Sequence, residues 1–492
     1  MQKMPQLLYH AAQVRELDRI AIHDYGIPGT TLMARAGAAA FELLQTRWPH
    51  ARRIAVICGL GNNAGDGFVL ARLALGAGLG VKVLHVGDVG QLRGDALAAY
   101  KALIKAGGVA DIFTQEGLDT AQVLVDAMLG TGLNREVSGE WKTAIEVMNA
   151  SGVPILALDI PSGLAADSGC VLGAAIHAVA TISFIGLKQG MFTGQARDYC
   201  GALLFDDLGV PPALFSRVPP SAIRINLGNL PALQPRARNS HKGMNGHVLL
   251  IGGDWGMGGA VRMAGEAAAR VGAGLVTIAT RPGHVSGINV ARPELMCRGV
   301  EHTAQLIPLI KAASVIAIGP GLGRTAWASE LFALALETHL PLVVDADALN
   351  LLAQEPSRRA NWILTPHPGE AARLLGSCVA EVEADRFGAI TELHKHYGGA
   401  IVLKGAGTLV WAGVGPIAVC DAGNPGMASG GMGDVLTGVI AGLLAQGLEL
   451  EAATQLGVCL HAAAGDRAAR VGERGLLASD LLPHLRHGIN FG

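Results

Sequence analysis

The sequence predicts an α/β protein of two domains, each an open, mostly parallel sheet flanked by helices. Three observations carry this. The chain has 492 residues, too many for one ordinary core. Half of it is apolar and only 16% is charged, enough to fill two large interiors. Strand-like runs alternate with Ala-rich helical patterns in both halves, the βαβ rhythm of a parallel sheet.

In the first half the runs are ARRIAVICGL at 51–60, GVKVLHVGD at 80–88, AQVLVDAML at 121–129, VPILALDIP at 153–161 and HAVATISFIG at 177–186. Each is a short, continuous apolar stretch, as a strand buried on both faces requires. The second half repeats the rhythm with NGHVLLIGG at 245–253, AGLVTIATRP at 273–282, ASVIAIGPG at 313–321, LPLVVDADAL at 340–349, NWILTPHP at 361–368 and AIVLKGAGTLV at 400–410. Between the halves, PPALFSRVPP at 211–220 and NLPALQPRARNS at 229–240 are rich in Pro and lack periodicity. The boundary is expected there, near 215–240, giving domains of 1–225 and 226–492. The halves share a rhythm but no sequence repeat.

A net charge of −2 points away from a nucleic-acid or membrane surface. Seven scattered cysteines without a CxxC fit a reducing cytosol and offer no zinc site. Cys58 ends an apolar run and is expected to be buried. The N-terminus has no apolar signal core, and no apolar run approaches the roughly 18–20 residues of a membrane span. A soluble, unexported, cytoplasmic protein is expected.

The most informative stretch is NPGMASGGMGDVL at 424–436. Small residues precede one carboxylate, Asp434, and the apolar helical run VLTGVIAGLLA follows. Glycines let backbone N–H groups converge, and a helix start behind them suits an anion. A carboxylate beside such a pocket can take a proton from an attacking hydroxyl. The segment therefore points to phosphoryl transfer to an alcohol. No GxxxxGK[ST] occurs, so a P-loop is not the means.

In the first half, Cys58 to Gly67 read CGLGNNAGDG, after a strand and opening a helix. Gly59-x-Gly61-x-x-Ala64 fits the dinucleotide fingerprint, with Asp88 at the end of the next strand. Asn62, Asn63 and Asp66 add two amides and a carboxylate that a plain dehydrogenase loop does not need. Asp126, the loop Gly130 to Glu136 and Asp159 fall at further strand ends, with Arg135 available for a phosphate. Oxygens of Asn63, Asp126 and Ser162 could surround a hard cation, or Asp126 and Asp159 could simply cap helices.

These segments, GLGNNAGDG, DAMLGTGLNRE and LDIPSG, resemble the motifs of the NAD(P)H-hydrate epimerase family, which has a Rossmann-like three-layer sandwich fold. The resemblance implies that Asn62, Asn63, Ala64, Gly65 and Asp66, with Gly130, Thr131, Gly132, Leu133, Asn134, Arg135, Glu136 and Asp159, contact the hydrated nicotinamide nucleotide. It implies a potassium ion on Asn63, Asp126 and Ser162. Ala64 stands where the family pattern has Gly; a positive φ there would cost on the order of 1 kcal/mol.

In the second half, HKGMNGH at 241–247 leads to Gly252, Gly253, Gly256, Gly258 and Gly259, with Ala260 at the edge of this platform. Strand ends carry Gly319 to Gly323, Asp345-Ala-Asp347, Thr365 to Glu370 and Lys404 to Thr408. Pro366 and Pro368 hold His367 extended. Asp345 and Asp347 could position magnesium through water, or cap the next helix. HKGxxG, GMxGA, ARPELM, GPGLG, DADAL, TPHPGE, KGAGT and NPGMASGGMGDVL together resemble the ADP/ATP-dependent NAD(P)H-hydrate dehydratase family, of ribokinase-like α/β fold.

The resemblance implies that Lys404, Gly405, Ala406, Gly407, Thr408 and Gly433 bind the adenine nucleotide. It implies that Ala260, Gly323, His367 and Asp434 face the hydrate. Over almost its whole length the chain is similar to bifunctional NAD(P)H-hydrate repair enzymes. That family epimerises the R and S hydrates of NADH and NADPH and dehydrates the S form with ADP, giving AMP and phosphate. The implied catalytic groups are Asp434 and, for epimerisation, Asp159. Potassium in the first domain, magnesium in the second and a homo-oligomer are expected. The rival readings are a ribokinase-like small-molecule kinase with an accessory nucleotide-binding domain, an NAD-dependent dehydrogenase, and a non-enzymatic N-terminal domain.

Overall fold

A computed structural model describes residues 4–231 and 233–491. The chain forms two compact units, Met1–Ile223 and Arg224–Gly492.

The first unit is built on seven parallel strands: β1 Arg53–Cys58, β2 Gly80–His85, β3 Ala110–Ile112, β4 Val123–Ala127, β5 Ile155–Leu158, β6 Ala180–Phe184 and β7 Ala202–Asp206. Their order is β3-β2-β1-β4-β5-β6-β7, every neighbour parallel. This is a doubly wound, Rossmann-like sheet whose order reverses between β1 and β4. Alternation along β1 makes the layers. Ile54, Val56 and Cys58 pack with the first helices in one core, while Ala55 and Ile57 pack with helix Gly139–Ala150 in another. Three layers result. Cys58 is fully buried, as expected. A short strand, Leu7–Tyr9, pairs in parallel with Leu187–Lys188. It holds the following helix, Ala11–His23, to this unit.

The second unit contains β8 His247–Ile251, β9 Leu275–Thr280, β10 Met296–Gly299, β11 Val315–Ile318, β12 Leu342–Val344, β13 Trp362–Leu364, β14 Ala400–Leu403, β15 Thr408–Trp411 and β16 Ile417–Cys420. The order is β10-β9-β8-β11-β12-β13-β14-β15-β16. Strands β8 to β14 run parallel; β15 and β16 are antiparallel. The run at 400–410, expected as a single strand, is thus two strands around a turn. Gly405 and Gly407 take φ of 142° and 66°, which ends the first strand. The apolar run after Asp434 forms helix Met432–Ala445, buried throughout from Val435 to Ala445. It crosses helix Gly258–Arg270 at close range, since a Cβ on Gly438 would stand 2.0 Å from the Ala264 carbonyl oxygen. An all-apolar helix needs such cover on every side.

Candidate active sites

The switch between β1 and β4 places two loops around a cavity of about 560 Å³. Helix Asn62–Gly76 starts at Gly61 with no side-chain cap, so its first amides remain open to an anion. Asn62, Asn63, Asp66, Gly130 to Arg135 and Asp159 all line the cavity. Ala64 and Gly65 lie buried in the first helical turn behind it, and Glu136 lines a neighbouring recess with Asp88. Ala64 is not among the positive-φ residues, so the cost expected there does not arise.

Asp126 is fully buried at the end of β4. Its carboxylate accepts from the Ser162 amide at 2.7 Å and the Ser162 hydroxyl at 2.6 Å. Burial pushes it up to about 6. Asn63 donates through Nδ2 to the Leu129 carbonyl at 3.0 Å, while its Oδ1 is buried with no partner. An orphaned amide oxygen beside a carboxylate and a hydroxyl fits a hard cation. Among the described residues no group of three or more His, Cys, Asp and Glu converges as a metal centre.

Asp159 sits just past β5 with φ of +64°. Its carboxylate accepts from Lys188 Nζ and from the Phe184 amide at 3.3 Å. Lys188 is fully buried and also donates to Ser183 Oγ at 3.0 Å. Asp18, on helix Ala11–His23, lines the same cavity. Burial and the Asp159 charge raise Asp18 to about 7. Sequence reasoning missed Asp18 and Lys188. A signal existed: Asp18 interrupts the apolar stripe Val14, Leu17 and Ala21, and Lys188 follows an apolar run directly.

In the second unit Asp434 lies in the first turn of helix Met432–Ala445, behind Gly431 at φ of +91°. The first backbone bond runs from Val435 N–H to Gly431, so the amides before it point outward. Burial, then the Asp345 charge, push Asp434 up to about 7. A Cβ on Gly433 would stand 3.2 Å from Lys404 Nζ and 3.4 Å from Asp345 Oδ2. Lys404 pairs with Asp345 at 2.7 Å and approaches Glu370 at 3.7 Å. Thr437 donates to the other Asp345 oxygen at 2.7 Å. Glu370, quoted from the sequence only as the end of a motif, and Thr437, one turn after Asp434, are further candidate site residues to which the sequence reading gave no role.

His367 is half-exposed ahead of helix Pro368–Leu375, accepting from the Gly369 amide at 3.0 Å. Desolvation lowers its pKa, which favours the neutral ring. Gly323 donates its amide to Asp347 at 2.9 Å. Ala260 abuts the same loop, 3.2 Å from where a Gly321 Cβ would be. Gly405, Ala406 and Gly407 form the β14–β15 turn, and Thr408 bonds back to the Gly405 carbonyl at 3.0 Å.

Four non-glycine residues among those described take positive φ: Asp159, Ile185, Leu208 and Ala346. The first three line the N-terminal cavity, and Ala346 separates Asp345 from Asp347. Strained backbone of this kind concentrates at functional sites.

Two family models match separate stretches of the chain. Residues 29–190 match the family model described as YjeF-related protein N-terminus, and 248–486 that of NAD(P)H-hydrate dehydratase. The chain is 53% identical over 486 residues to the bifunctional NAD(P)H-hydrate repair enzyme Nnr of Coxiella burnetii, covering 98% of this chain and 99% of that one. It is 44% identical to the Escherichia coli protein of the same name, covering 99% and 95%. A ribokinase-like superfamily protein from Enterococcus faecalis is 32% identical with a TM-score of 0.50, covering 54% of this chain and 95% of that one. A Bacillus subtilis ADP/ATP-dependent NAD(P)H-hydrate dehydratase, co-crystallised with ATP/Mg2+, is 31% identical with a TM-score of 0.47, covering 53% and 94%. No helix among the described residues is long and apolar enough to cross a membrane. With relatives this similar over nearly its whole length, the chain belongs to the bifunctional NAD(P)H-hydrate repair enzyme family.

Proposed function

We propose that the N-terminal cavity interconverts the R and S hydrates of NADH and NADPH, and that the site around Asp434 dehydrates the S form with ADP. The observation that carries two separate sites is the strained backbone confined to them. In the second site the ionised Asp434 takes the proton of the C6 hydroxyl. The oxygen attacks the β-phosphorus of ADP, the bond to AMP breaks, and a phosphate ester forms on C6. Open amides before Val435 and the glycines ahead of them stabilise the transferring group. The ring-nitrogen lone pair then expels phosphate, C5 gives up a proton, and the dihydropyridine is restored. Ala260, Gly323 and His367 face the hydrate in this reading, while Lys404 to Thr408 and Gly433 hold the nucleotide.

Asp345 has both oxygens engaged by Lys404 and Thr437, so it positions Lys404. Magnesium would be held by the phosphates and, through water, by Asp347. In the first site Asp159 transfers a proton, and Arg135 meets a substrate phosphate. Asn63, Asp126 and Ser162 would hold a potassium ion, which would supply positive charge beside the loop Gly130 to Glu136. Seven free cysteines support a reducing, cytoplasmic setting. The reading includes a homo-oligomer, checked by light scattering.

The test is purified protein with chemically prepared hydrate, with and without ADP, followed at the NADH absorbance. Recovery of NADH with release of AMP is expected. A stable phosphorylated alcohol instead would identify a kinase and end this reading. For the cation, replacing potassium by tetramethylammonium is expected to slow epimerisation and leave dehydration intact.

A further inference from the structure

We propose that Asp18 is the second proton-transfer group of the N-terminal site, working with Asp159 on a cationic iminium form of the nicotinamide ring. This rests on reading that cavity as the epimerase site. Inverting one carbon in both directions requires an acid and a base that exchange roles between the R and S substrates. Asp159 alone supplies one of them.

The fold delivers the second from a different element. Asp159 ends β5, whereas Asp18 stands on helix Ala11–His23, and both line the one cavity. The parallel pairing of Leu8 with Leu187 and Tyr9 with Lys188 ties that helix to the segment carrying Lys188. Asp159 is oriented by fully buried Lys188 and the Phe184 amide. Charged groups facing Asp18 are Asp159, Asp66 and Lys188. Burial and the Asp159 charge raise Asp18 to about 7, so both its protonation states exist near neutrality. Three half-buried carboxylates therefore surround one lysine, and the two arginines of the wall, Arg15 and Arg135, are exposed. With Asp159 paired to Lys188, an ionised Asp18 on the same wall stabilises positive charge on the ring, while the open helix amides at Asn62 and exposed Arg135 serve the substrate's phosphates.

The steps balance without an oxidant. One carboxyl protonates the C6 hydroxyl, the C6–O bond breaks, and the N1 lone pair forms N1=C6. Water leaves. A second water adds to the opposite face of C6, the π pair returns to N1, and the added proton goes to the other carboxylate. The reverse reaction uses the same two groups in exchanged roles, and solvent resets them between turnovers.

The experiment uses the full chain without ADP, so dehydration is silent. The R hydrate is incubated in oxygen-18 water and the epimers are separated and weighed against an enzyme-free control. Wild type is expected to place solvent oxygen in each epimerised molecule. Asp18→Asn is expected to lose about 10²-fold or more in rate while melting at or above the wild-type temperature. Should it melt lower, Asp18→Glu is expected to recover part of the rate. Epimerisation by Asp18→Asn within a few-fold of wild type overturns the assignment, as does a Glu variant with no recovery. Epimers that keep their original oxygen overturn the iminium. Wild type that epimerises no faster than buffer removes the epimerase reading itself, and this inference with it.

Discussion

Asp434 and Asp18 are both held near 7 by burial, and they titrate with opposite consequences. In the proposed reaction Asp434 works as its anion, so dehydration is expected to rise with pH through about 7 and level off above it. Asp434→Asn should lose about 10²–10⁴-fold and flatten that limb, read as kcat/KM against pH; near wild-type turnover would remove the base assignment. For Asp18 the measurable quantity is stability. Its folded pKa lies above the unfolded value, so below about pH 4 both states are protonated and nothing is lost. Between about pH 4 and 7 the unfolded chain ionises Asp18 while the folded state keeps its proton, so stability falls across that window and levels off above about 7. Asp18→Asn is then expected to gain on the order of 1 kcal/mol at pH 8 and nothing at pH 4. Equal gains at both values would place the effect elsewhere. Asp434 was legible because a glycine run, an acid and a helix follow one another directly. Asp18 was not, because its partners Asp159 and Lys188 are far along the chain and meet it only through strand pairing.

At the scale of elements, the strands of both sheets were visible as apolar runs, because burial on two faces leaves no polar position. Short edge strands such as β3, with two of three residues exposed, carry no such pattern. The 400–410 run shows the opposite failure: apolar residues on both sides of a glycine turn read as continuous. Helix Met432–Ala445 aims Asp434, and its place depends on Gly438 lying against the Ala264 carbonyl. Gly438→Ala is expected to destabilise the second unit by about 1–3 kcal/mol. A thermal melt monitored by dehydratase activity should shift down while epimerase activity keeps its own midpoint. Loss of both together would show that the two units do not melt independently. In the first unit, Gly67 has the same packing role, since its Cβ would stand 2.6 Å from Ala127 Cβ. That close approach is what the third glycine of a dinucleotide loop supplies elsewhere, so Ala64 is tolerated inside the turn.

For the whole molecule, separate cores and a Pro-rich passage at 211–220 favour units that fold alone. A fragment beginning at Arg224 is expected to dehydrate the S hydrate with ADP and leave R behind. Clearance of both epimers by that fragment, faster than spontaneous epimerisation, would contradict the division of labour. Length, apolar content and alternating runs determined the α/β architecture, and motif residues at strand ends determined where each candidate site was sought. These features are local: a glycine turn, a strand end and a helix start lie within a dozen residues of one another. Tertiary structure alone decided which charges face each other. It set Lys188 on Asp159, Asp18 in the same cavity, and Lys404 and Thr437 on Asp345. Those contacts join separate elements, and their energetics follow from desolvation in the assembled cavity, which no sequence spacing encodes.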